Sequence, residues 1–118
     1  MIDQLVLFQR LYDLYVYMHK TVSQFPKSQR FILSVNLLQI NFQMIRLTII
    51  ANSKKERETE QQELSVQLDL FRVYVRLAKD VGFLPIRKYG FVMEKINEIS
   101  KMLNAWIKYT KTSSSSPQ

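Results

Sequence analysis

The sequence predicts an all-α fold, an up-down-up-down four-helix bundle. Three observations carry this. Only 2 glycines and 3 prolines interrupt the 118 residues, and so few breakers favour long helices. Apolar residues recur at spacings of three and four along four separate segments. The connections between those segments are short, which makes consecutive helices antiparallel neighbours.

The first helix is expected over residues 3–24. Phe8, Leu11, Tyr12, Tyr15, Met18, His19 and Val22 form one wide apolar face, with Leu7, Leu14 and Tyr17 outside it. Pro26 has no N–H and biases Phe25 away from helical geometry, so the helix should stop there. Ser28 is one candidate N-cap for the next helix, and Pro26 at a first helical position is the other. Phe25 and Phe31 are expected to pack across this corner like a hydrophobic staple.

The second helix, residues 29–51, is the least polar. Leu33, Leu37, Ile40, Met44, Leu47 and Ala51 make its stripe, and Ile32, Val35, Leu38, Phe42, Ile45, Ile49 and Ile50 lie elsewhere around it. Its length would span a bilayer. However, Asn36, Gln39, Asn41 and Gln43 beside Arg46 would be costly in hydrocarbon, so a helix buried in protein is expected and no membrane. A helix apolar nearly all round must be covered nearly all round, and three neighbours in one bundle cover only part of it. Subunits should therefore pack together through helices one and two.

Residues 52–58 form a polar connector. Acidic residues then load the start of helix three, where they complement the helix dipole. Leu64, Leu68, Phe71, Val75 and Ala78 are its core stripe, and Val66, Leu70, Val73 and Leu77 are surplus. Gly82 ends it. Pro85 opens helix four, which runs to about Lys111 and presents Tyr89, Val92, Met93, Ile96, Ile99, Leu103, Trp106 and Ile107. Gly90 lies inside this helix at a cost of about 1 kcal/mol unless a neighbour packs close. The bundle should occupy residues 1–111. The tail, residues 112–118, has no apolar side chain and should be disordered.

Catalytic chemistry is hard to build from these residues. There is no cysteine and one histidine, and His19 is expected to be a packed, hydrogen-bonded residue. No Glu-x-x-His pair supplies a bundle metal site, and no glycine-rich phosphate loop is present. The chain is read as no enzyme, with no cofactor and no metal. The lack of a basic n-region before the first apolar run, where Asp3 stands, argues against a secretory signal, and a cytoplasmic location is expected.

The charge is informative. Lysine and arginine total 17 against 10 acids, for a net charge of +7 and a pI near 9.8. That balance favours an anionic partner. Arg72, Arg76 and Lys79 fall at i, i+4 and i+7 on helix three. The two arginines interrupt an apolar run, where arginine suits bidentate contact with phosphate or carboxylate. Lys101, Asn104, Lys108 and Lys111 make a strip on helix four free of acids, and Lys27 and Arg30 sit at the first corner. These eight bases are the candidate binding residues. Their partner is either nucleic acid, bound mainly through phosphates, or an acidic protein face met by a helical scaffold with no nucleic-acid role.

Three segments, "FPKSQRF", "LFRVYVRLAKDVGFLPIRKY" and "EISKMLNAWIKYT", resemble the accessory variability determinant (Avd) proteins of diversity-generating retroelements. These lie within a wider four-helix-bundle group that includes proteins encoded in ribosomal RNA intervening sequences. The resemblance runs from Leu5 to Thr110. It implies a homopentameric, barrel-like assembly with a basic surface. It also implies binding to RNA or DNA and to the element's reverse transcriptase, and an accessory, non-catalytic role in mutagenic cDNA synthesis. Arg72 and Arg76 fall on the family's paired arginines, Lys108 on the basic position after Trp106 and Ile107. The chain departs at Ser100, Asn104 and Ala105, where relatives often carry glycine or arginine.

Overall fold

The computed structural model describes residues 4–114, with the side chains of residues 4, 29–31 and 114 outside that description. Four long helices follow one another: α1 (Gln4–Val22), α2 (Val35–Ser53), α3 (Glu58–Asp80) and α4 (Ile86–Ser114). A helical turn at Lys27–Gln29 and a wider π-helical turn at Arg30–Ser34 lead directly into α2. Each helix packs on the next, and α4 closes the ring against α1. The body measures 57 × 22 × 19 Å, as expected for parallel cylinders. Contacts rise along α1 as they descend α4: Lys88 Nζ donates to Gln24 Oε1 at 2.8 Å, and Arg10 Nε lies 3.9 Å from Glu98 Oε1. The two helices are therefore antiparallel. The same crossing pattern joins α3 to α4 through Gln61–Thr110 near one end and Arg72–Asn97 near the middle.

The core of α1 is Leu7, Leu11, Leu14, Met18 and Val22. This corrects the face read from sequence by about one residue in phase. Tyr12 is 50% exposed, Phe8 and Tyr15 are half-buried, and His19 is exposed beside the Tyr15 ring. Aliphatic side chains take the centre of the contact, and rings with polar tips line its edge, where the tip stays wet. In α2 the expected stripe is buried except for half-buried Ile40, with Ile45 and Thr48 added. Asn41 is fully buried and its Nδ2 donates to the Leu11 carbonyl at 3.1 Å, which ties α1 to α2 at one register. Among the described residues, one helix, Ile32–Ser53, is long and apolar enough to cross a membrane, and 50% of its most apolar window is buried inside the bundle.

The first corner closes with N–H groups of Gln24 and Phe25 donating to Thr21 and Val22 carbonyls. The helical path resumes at Lys27, immediately after Pro26, so Ser28 lies inside a turn and is not an N-cap. Phe25 is buried against Phe83, with ring centroids 5.9 Å apart. The expected partner ring of Phe31 lies outside the described side chains. Phe25 thus ties the first corner to the α3–α4 turn. That turn needs Gly82, whose φ of +87° is a left-handed conformation open mainly to glycine. It lets the Phe83 and Leu84 N–H groups reach back to the Ala78 carbonyl. Pro85 then opens α4 by accepting the Tyr89 N–H at 2.9 Å.

α4 runs three residues past Lys111, and residues 115–118 of the tail lie outside the described part. Gly90 proves to have no packing reason: nothing lies within 4 Å of where a Cβ would stand. Gly90→Ala should therefore raise unfolding free energy by about 1 kcal/mol, read as a higher urea midpoint. A lower midpoint would show that the glycine has an intramolecular role. At the other end, Lys54 Nζ donates to Glu60 Oε2 at 2.7 Å, and this bond holds the Glu60 carboxyl below its ordinary pKa of 4.5. Because the folded group titrates lower than the unfolded one, the pairing stabilises above pH 4.5 and fades as pH falls from there through the folded value. Lys54→Met should flatten that part of the acid limb of stability against pH. An unchanged limb would show that the pair contributes nothing.

Candidate nucleic-acid interface

The α3 row lies along the seam with α4. Arg72 is half-buried, and its Nη1 donates to Asn97 Oδ1 on α4 at 2.8 Å. Lys79 Nζ stands over the Tyr89 ring of α4, 4.7 Å from its centroid. Arg76, between them in sequence, points outwards with its side chain 73% exposed. Two of these cations share one acid, Arg76 with Asp80 at 3.6 Å and Lys79 with the same carboxylate at 3.2 Å. Such exposed pairs are weak and exchangeable, so a polyanion can displace Asp80 at little cost.

Asn97, Lys101, Asn104, Lys108 and Lys111 recur at four, three, four and three along α4, which keeps them on one face. All are exposed. Lys101 and Lys108 have no acidic partner among the described residues. The Arg72–Asn97 bond joins this strip to the α3 row. Together they form one ridge from Lys79 beside Tyr89 to Lys111. At 1.5 Å rise per residue, that stretch of α4 is about 33 Å long, close to one turn of a nucleic-acid duplex. Six of the eight candidate bases share this ridge.

The register of the ridge is fixed from inside. Gln61 Nε2 donates to Thr110 Oγ1 at 3.0 Å, both buried, and pins the start of α3 to the end of α4. Trp106 is fully buried behind the Asn104–Lys108 segment, with the Arg57 guanidinium 5.8 Å from its ring centroid. Lys27 is exposed at the first corner, on the end of the bundle where Phe25 meets Phe83. It lies beyond the Lys79 end of the ridge rather than on it. The Arg30 side chain lies outside the described ones. Asn97 is the residue that sequence reasoning missed. Its one signal was its place four residues before Lys101.

A second surface feature is apolar. Val66, Leu70, Val73 and Leu77 recur at four, three and four on α3, opposite its core stripe, and are 42–62% exposed. Leu5, Tyr12 and Val16 on α1 and Val35, Phe42 and Ile49 on α2 are exposed as well. No group of three or more His, Cys, Asp or Glu side chains that could hold a metal occurs among the described residues.

A family model described as bAvd-like matches residues 5–110 of this chain, an interval that takes in all four helices except Gln4 and the last four residues of α4, and all of the ridge except Lys111. Comparison with curated proteins finds no match.

Proposed function

The chain belongs to the bAvd-like family, and from that premise we propose that it is a non-catalytic accessory subunit of a diversity-generating retroelement. In this reading it binds the element's reverse transcriptase and holds RNA or DNA through phosphates along the α3–α4 ridge. The observation that carries the proposal is the Arg72–Asn97 hydrogen bond, which merges two separate basic rows into one surface of duplex-turn length. A ridge of this kind supplies positioning and affinity rather than sequence choice. A charge of +7 per chain would draw nucleic acid and screen strongly with salt.

The subunits are proposed to assemble as a homopentamer, covering the apolar faces of α1 and α2 against each other. The outward stripe on α3 is a further apolar face available for assembly or for the reverse transcriptase. Exposed contiguous apolar surface of this kind marks interaction sites. Repetition around a ring would also multiply weak phosphate contacts through avidity.

One feature favours a second reading, an acidic protein face as the partner. Asp80 already compensates the Arg76–Lys79 end, and mixed charge there suits a protein contact. Co-expression with the element's reverse transcriptase and native mass measurement of the purified complex tests the proposal. A stable complex containing five copies of this chain supports it. A monomer that never co-purifies with the enzyme would overturn the accessory role.

A further inference from the structure

The outward stripe of α3 has the spacing of a coiled-coil seam. Val66, Leu70, Val73 and Leu77 step by four, three and four, the alternation of the two apolar positions of a heptad. At about 100° of turn per residue, the stripe lies diametrically opposite the buried Leu64, Leu68, Phe71 and Val75. It is therefore an outer edge of the bundle, where another helix can lie alongside. The flanks of the seam are not neutral. Asp69 and Arg76 border it on the α4 side, and both are exposed. Half-buried Gln67 and Tyr74 border it on the α2 side.

We propose that this seam pairs α3 with α3 of a second copy, antiparallel about a two-fold axis. Such an isologous contact must be self-complementary, and the stripe is. With Leu70 laid on Val73 of the second copy, Val66 falls on Leu77, and both layers repeat across the axis. A shift of one heptad either way keeps only two of these four layers. The register that fills the seam also brings Asp69 beside Arg76 of the second copy, twice, and Gln67 beside Tyr74, twice. A parallel pair would set Asp69 against Tyr74 and Arg76 against Val81, with no opposite charge. Flanking charges of this kind choose partner and orientation. Beyond the four layers Glu63 faces Asp80, which Arg76 and Lys79 already hold, and these acids close the seam. The layers span only about 16 Å of helix, too short to bury the roughly 1,200 Å² of a standard interface. The pairing is therefore weak and concentration-dependent, and it gains from avidity where other contacts gather several chains. It uses α3 alone, so it holds whether or not α1 and α2 close a ring.

Exchanging charges between two chains tests this, with the native mass of the full chain followed across a concentration series. Wild type should show a pairing step, from one chain to two or from one ring to linked rings. Asp69→Arg sets arginine against arginine on the flank, and Arg76→Asp sets acid against acid. Either variant alone should weaken pairing at least about tenfold, because like charges then meet twice. Mixed in equal amounts, the two variants should pair again, since each flank regains opposite charges. Both positions are exposed, and an unchanged helical circular dichroism spectrum shows that folding survives. A mixture that fails to pair would overturn the proposal, as would pairing that survives Asp69→Arg. A wild-type chain that never pairs would overturn it too. If Leu70→Glu then abolished capture of the reverse transcriptase, the stripe would belong to that enzyme instead. The size of the unit that pairs, one chain or five, bears on the ring alone.

Discussion

Replacing Trp106 by alanine should lower the unfolding free energy by about 3–5 kcal/mol, the cost of emptying a buried aromatic site. Trp106 is 0% exposed and packs behind the part of α4 that carries Asn104 and Lys108. Its Nε1 has no hydrogen-bond partner, so the indole already carries a desolvation cost of about 1–3 kcal/mol. Trp106→Phe should therefore cost far less than alanine, because the smaller ring removes the unmet donor along with some volume. Urea midpoints of the two variants decide this. Equal losses would mean that the indole nitrogen is satisfied. No loss for alanine would mean that Trp106 does not sit in the core and that the α4 strip is set by something else.

Reversing two charges on the ridge, Arg72→Glu together with Lys108→Glu, should weaken binding to any RNA by about 100-fold near 0.1 M salt. It should also flatten the plot of log affinity against log salt by about two. The pair was chosen to hit both rows, one on α3 and one on α4. The loss should be uniform across sequences, because phosphate contacts carry no base information. Folding should survive, since Lys108 is exposed and Arg72 loses one hydrogen bond at the seam, worth about 1 kcal/mol. Unchanged affinity with an intact bundle would remove the ridge from the account.

How far the sequence revealed this depends on the element. In α3 the stripe Leu64, Leu68, Phe71, Val75 and Ala78 is buried throughout, and its surplus residues stand outside. An amphipathic helix with charges between its apolar positions has one unambiguous phase. In α1 the phase was misjudged because Tyr12, Tyr15 and His19 counted as apolar, whereas their polar tips put them at the edge. Asn41 looked like a reason for caution about α2 and turned out to be a fully buried tie to the Leu11 carbonyl. No periodicity shows which amide will find a carbonyl on another helix. Both basic rows were legible as rows. That they form one ridge was not, because it depends on the α3–α4 register, which Gln61–Thr110 and Arg72–Asn97 set across distant positions. The first corner behaves similarly. Pro26 does break the chain there, but Phe25 reaches the far turn.

The most direct measurement is binding of the purified wild-type chain to a structured RNA and a matched DNA duplex across a salt series. Six bases on the ridge, partly offset by Asp69 and Asp80 on α3 and Glu94 on α4, predict a log–log slope of about −4. No binding even at low salt, or an affinity indifferent to salt, would contradict the account and assign the charge to another purpose.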